Sequence, residues 1–123
     1  MIELSAVLPR SAGRLSKSAA EFLRLMADPT RLKIFLHLML GETCNCEMAG
    51  LLNLSQNLIS HHLRQLHRSG LIKARHDPSD RRWVYYVVNR DELARVHQEL
   101  GMVFDPARID TRVPQCGPKS SGC

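Results

Sequence analysis

No apolar run in the 123-residue chain approaches the ~20 residues needed to cross a bilayer. Residues 1–16 lack a basic region followed by a long apolar core, so no secretory leader is expected. The expected location is the cytoplasm, with no membrane partner. Internal repeats are missing, which excludes a repeat array. No nucleophile stands beside a recognisable base, and no phosphate-cradling loop is present. An enzyme, a small organic substrate and an organic cofactor are therefore not expected. Cysteine is scarce and absent before residue 44; the four occupy positions 44, 46, 116 and 123. A composition of 44% hydrophobic and 24% charged residues fits neither disorder nor a fibre. The length is one domain's worth, enough to bury a core without disulfide staples.

Charge is present and unevenly placed. Lys and Arg number 17 against 12 Asp and Glu, a net charge of +5. Between His61 and Arg82 lie Arg64, Arg68, Lys73, Arg75, Arg81 and Arg82, opposed only by Asp77 and Asp80. A clustered basic stripe is the electrostatic footprint of a nucleic-acid partner, and equally describes a solvated basic surface.

Local signals predict five helices and a hairpin. Residues 1–17 read as an arm. Ser18 with Glu21 fits a capping box, opening a helix to about Ala27. Asp28-Pro29 starts a second helix. Its apolar stripe is expected at Leu32, Phe35, Leu36, Met39 and Leu40, with Gly41 as the stop. A short third helix covers about Cys44 to Leu52, with Thr43 as cap and Met48, Leu51 and Leu52 buried. Asn53-Leu54 forms a tight turn, and Ser55 caps a fourth helix to about Ser69. Leu71–His76 and Trp83–Val88, separated by Asp77-Pro78-Ser79-Asp80, read as a β-hairpin. Asn89 with Glu92 opens a fifth helix ending near Phe104. Residues 18–104 thus form the folded domain, and 105–123 a Pro- and Gly-containing tail expected to be mobile.

The third helix, its turn and the fourth helix match the length pattern of a DNA-binding helix-turn-helix. On the fourth helix Leu58, Ile59, Leu63 and Leu66 share one side, with His62 among them as a packed core histidine. The opposite side offers Asn57, Ser60, His61, Arg64 and Arg68, and the first turn adds Ser55 and Gln56. These groups can bond base edges and phosphates in a major groove. The hairpin carries Arg75, Arg81 and Arg82 near its tip, so it reads as a wing against the adjoining backbone. The expected fold class is mainly α, a winged helix-turn-helix of five helices and a two-stranded wing, with double-stranded operator DNA as partner.

The ordered set Ala27-Asp-Pro-Thr-Arg-Leu-Lys-Ile34, Cys44-Asn-Cys46, Ser60-His-His-Leu-Arg64, Ser69-Gly-Leu-Ile72 and Arg82-Trp-Val-Tyr-Tyr86 resembles the ArsR/SmtB family of winged-helix, metal-sensing repressors. The resemblance covers about residues 18–100. It implies a homodimer built on the first and last helices, and an inducer that weakens operator binding. The zinc-site pattern of that family on the last helix is absent here: Asp91 is followed by Leu93 and His97 by Leu100.

Clustered cysteines in a cytosolic chain are more often metal-binding or redox-active than structural disulfides. Cys44 and Cys46 fall at a helix N-terminus, where the dipole favours thiolates. Thiolates select soft ions, so arsenite or antimonite, then cadmium or lead, are the expected inducers. Residues i and i+2 do not face each other in a helix but do in an extended segment. Chelation therefore requires the first turn of the third helix to be non-helical or to unwind. The arsenic sensors of the family place a third cysteine where this chain has Ala49. Cys116, with Cys123 as a further candidate, is the expected third ligand from the tail. A thiol-redox switch on the same cysteines is the alternative.

Overall fold

The computed structural model describes residues 15–118; the expected arm over 1–14 and Cys123 lie outside them. Five α-helices and a three-stranded sheet follow in the order α1 (Lys17–Met26), α2 (Pro29–Leu38), β1 (Thr43–Cys44), α3 (Asn45–Leu52), α4 (Gln56–Arg68), β2 (Ile72–His76), β3 (Val84–Val88) and α5 (Arg90–Val103), with a short 3-10 turn at Pro106–Arg108. Among the described residues no helix is long and apolar enough to cross a membrane.

Caps set most of the boundaries. The Asp28 carboxylate accepts from the backbone N–H groups of Thr30 and Arg31, at 2.9 and 3.0 Å, and Pro29 fills the position whose N–H would be orphaned. Ser55 accepts from Leu58 N–H at 3.1 Å, and Asn89 from Glu92 N–H at 3.4 Å. Such caps are each worth about 1 kcal/mol. Gly70, at φ +85°, follows α4 in a conformation that other residues adopt only with strain. The first helix corrects the expected cap: Ser16, not Ser18, accepts from Ala19 N–H at 3.1 Å. The reason lies on α5. Glu99 on α5 accepts from Ser16 N–H at 2.8 Å, and Arg95 donates to the Ser18 hydroxyl, so α5 fixes where α1 begins.

Leu25, Ile34, Phe35, Leu38, Met48, Ile59, Leu63, Leu66, Leu71 and Ile72 form one continuous core. The expected stripe of α2 is therefore wrong in all but Phe35. Ile34 and Leu38 face inward, whereas Leu36, Met39 and Leu40 are 57%, 53% and 83% exposed. That helix is apolar around most of its circumference, so periodicity alone could not choose a face. Leu51 also lies exposed, and Leu58 is only partly covered, at 38% exposed.

The wing is antiparallel, pairing Ile72 with Val88 and His76 with Val84. It carries a third strand that the sequence did not reveal. Thr43 and Cys44 pair with Tyr86 and Tyr85, giving the order β1-β3-β2. Thr43 is thus a strand residue rather than the cap of α3. Its hydroxyl donates instead to the Glu47 carboxylate at 3.0 Å.

Candidate ion and nucleic-acid site

Strand pairing with Tyr85 holds Cys44 extended, at φ −110° and ψ 165°, and α3 begins one residue later. Cys44 therefore stands at the N-cap while Cys46 stands in the first turn. The two sulfurs meet at 3.1 Å. Of the two expected routes, a non-helical start or unwinding, the structure has the first: one extended residue at the strand–helix junction suffices to converge an i, i+2 pair. For an ion bonded at about 2.3 Å to each sulfur, that separation subtends an angle of about 85°. The angle is tighter than tetrahedral and close to that of a pyramidal trivalent centre.

The electrostatics also differ from expectation. The Cys46 thiol is pushed above its ordinary value, chiefly because it shares a hydrogen bond with Cys44, with desolvation and Cys44 charge acting in the same direction. The backbone N–H groups of Glu47 and Cys46 pull the other way and are outweighed. Two sulfurs this close resist carrying two negative charges. A thiophilic cation relieves that repulsion, and its capture releases the thiol protons.

Cys44 and Cys46 are free thiols, whereas Cys116 is disulfide-bonded. Cys116 would have to be reduced before supplying a third thiolate. No cluster of three or more His, Cys, Asp or Glu side chains suited to a metal occurs among the described residues.

The sulfur pair opens into a groove of about 570 Å³ between the start of α4 and the wing, lined by Gln56, Arg82, Trp83, Val84 and Tyr86 besides Cys44 to Cys46. The sulfur pair and the α4 and wing residues expected to face DNA therefore share one surface. Ser55, Gln56, Asn57, His61, Arg64 and Arg68 are exposed along α4. Ser60 is half-buried and accepts from the Asn45 side chain. On the wing, Arg75 pairs with Glu42 at 2.6 Å and lies 4.8 Å above the Tyr85 ring. Arg82 pairs with Asp80 at 2.8 Å. Exposed pairs of this kind are weak, so a phosphate can displace the carboxylate. Arg81 is exposed, and its carbonyl accepts from His76 Nδ1 at 2.9 Å. Asn45, Trp83 and Tyr86 were not singled out from sequence. The Cys-Asn-Cys element contained the first, but only the fold brings the two aromatics to it.

Behind α4 lies a buried polar hub. Arg31, 8% exposed, donates through Nε to the Leu25 backbone carbonyl at 2.8 Å and through Nη1 to the Gln65 side-chain oxygen Oε1. Nη1 also approaches His62 Nδ1 at 3.4 Å. Arginine can only donate, so Nδ1 accepts and the ring is neutral. Burial pushes His62 below its ordinary value, and Arg31 and His61 add to that against the attraction of Asp28. His62 is thus the packed core histidine expected.

Residues 28–74 match the family described as bacterial regulatory protein, arsR family. A transcriptional repressor SmtB homolog from Synechocystis is 32% identical over 85 residues, 69% of this chain. The chain spans 62% of that relative's length. The arsenical resistance operon repressor of Staphylococcus aureus is 30% identical, over 71% of this chain and 81% of its own length. The cadmium resistance transcriptional regulatory protein CadC of Listeria innocua is 30% identical over 71% of each. Among solved structures, the transcriptional regulator HlyU from Vibrio vulnificus superposes with a TM-score of 0.54 at 32% identity, over 65% of this chain and 81% of that one.

Proposed function

The chain belongs to the bacterial arsR family of regulatory proteins, and from that premise we propose that it is a repressor released from operator DNA by a thiophilic ion on Cys44 and Cys46. The observation that carries this reading is the 3.1 Å convergence of two free sulfurs in the groove shared by α4 and the wing. Trivalent arsenic or antimony comes first, because the narrow sulfur separation suits a pyramidal centre; cadmium and lead come second. The names of the staphylococcal and Listeria relatives fit both classes. A third sulfur from the tail, Cys116 or Cys123, completes the site once reduced.

DNA meets the exposed side of α4 in the major groove, with Arg75, Arg81 and Arg82 of the wing on the adjoining backbone. The repressor acts as a homodimer. Between α1, α2 and α5, Phe22, Leu32, Leu36, Met39 and Leu93 line an apolar groove of about 670 Å³. An exposed apolar face of this kind marks a protein contact, and a second copy covers it. Capture of the ion moves the start of α3 against α4 and mis-sets the two recognition helices. A coupling of about 1–3 kcal/mol, typical of such switches, weakens DNA binding by about 5- to 150-fold.

The test uses a duplex selected from a random-sequence pool by the reduced wild-type protein. Arsenite and cadmium are expected to release it from wild type and not from the Cys44→Ser/Cys46→Ser double variant. Ion-driven release from the double variant would refute the site. The thiol-redox alternative draws on the disulfide at Cys116; it predicts release by peroxide and indifference to ions in the fully reduced protein.

A further inference from the structure

Asn45 stands between the two sulfurs in sequence and between two helices in space. It is the first residue of α3, and its side chain reaches across to α4. Nδ2 donates to the backbone carbonyl of Gln56 at 3.2 Å and to the hydroxyl of Ser60. Both amide protons are thereby used. Its Oδ1 is buried and has no hydrogen-bond partner among the described residues. A buried acceptor left unmet is destabilising, so this amide is held by its donors alone and gains from any movement that gives Oδ1 a partner.

Building on the sulfur-pair reading above, we propose that Asn45 is the positioning residue that couples the ion to DNA: seating one ion between Cys44 and Cys46 spreads their sulfurs, turns the residue between them and breaks its bonds to Gln56 and Ser60. The geometry leaves little slack. The sulfurs stand 3.1 Å apart, whereas two sulfurs bonded at about 2.3 Å to one tetrahedral ion stand about 3.8 Å apart; with Cys44 anchored to β3 and Cys46 in the helix, spreading them rotates the peptides flanking Asn45. The bonds that break are those pinning the start of α4, where Gln56 and Asn57 are exposed and Ser60 is half-buried one turn on. Each such hydrogen bond is worth about 2- to 12-fold in an equilibrium. Two of them together cover the 5- to 150-fold range typical of an allosteric switch.

The experiment compares DNA affinity with and without cadmium chloride for the full-length reduced protein, on the pool-selected duplex. Cadmium binding is followed separately by its thiolate charge-transfer band. In Asn45→Ala, and in Asn45→Asp, which keeps the volume but removes both donors, the band and its midpoint are expected to match wild type. The ratio of affinities is expected to fall to less than about 3-fold. Either variant, folded and retaining the wild-type ratio, overturns the proposal. So does loss of the cadmium band in both variants, which would make Asn45 part of the ion site itself. Should both variants fail to fold, hydrogen exchange in wild type decides: cadmium is expected to speed exchange in the first turn of α4, and unchanged exchange overturns the relay. Failure of the sulfur-pair reading looks different, because Cys44→Ser/Cys46→Ser would then still release DNA.

Discussion

Arg31→Ala is expected to destabilise the fold by about 2–4 kcal/mol. Arg31 satisfies the Leu25 carbonyl in the last turn of α1 and the Gln65 side chain on α4 while rooted in α2. Bonds from a charged donor are worth about 1.5–3 kcal/mol each, and truncation strands both acceptors in the interior. Two such losses give about 3–6 kcal/mol. Returning the guanidinium to water recovers part of that, because a buried charge is itself costly. Urea denaturation followed by far-ultraviolet circular dichroism reads the difference. With a slope near 2 kcal/mol/M, the midpoint should fall by about 1–2 M with the slope unchanged. Protein concentration must be held constant, since association adds to apparent stability. Arg31→Lys, which keeps the charge but loses the planar fork, should fall between the two. A shift below about 0.3 M for Arg31→Ala would refute the claim that this residue braces α4.

Three further outcomes follow. Because burial holds His62 below the usual histidine value of about 6.5, the unfolded chain takes up that proton more readily. Stability is therefore full above about 6.5 and declines as pH falls through the window beneath. Thermal melts between pH 7.5 and 5 should show that decline in wild type and a flatter profile in His62→Gln; identical profiles would exclude His62 as its source. Arg64 is exposed and has no ion pair among the described residues. Arg64→Ala should lower the slope of log affinity against log salt by about 0.9 per phosphate contact, and an unchanged slope would remove Arg64 from the DNA backbone. Leu36→Glu places a charge in the apolar groove of α1, α2 and α5 and should yield monomers in sedimentation equilibrium. A wild-type dimer would move the interface elsewhere.

What could be read from sequence was what local chemistry determines. Asp28, Ser55 and Asn89 cap helices through bonds to residues two or three positions away, so their roles were visible in the chain itself. The wing turn was visible for the same reason: Asp77 accepts from the Ser79 and Asp80 N–H groups. β1 was not visible. Two residues carry no periodicity, and they become a strand only because Tyr85 and Tyr86 arrive beside them. That one long-range pairing extends Cys44, converges the sulfurs and aims Asn45 at α4. Spacing could nominate Cys44 and Cys46 as a candidate soft-ion pair, but not show that their sulfurs meet at 3.1 Å at a strand–helix junction. Likewise the charge of Arg75 was plain, whereas its pairing with Glu42, 33 positions away, belongs to the fold.

The most direct test of the central claim is a stoichiometric titration of the fully reduced, DNA-bound protein with arsenite, reading DNA release by fluorescence anisotropy. Release should track ion capture, reach completion near one ion per Cys44–Cys46 pair, and weaken affinity at least 5-fold, the lower end of typical coupling. Saturation of both thiols with no change in anisotropy would contradict it.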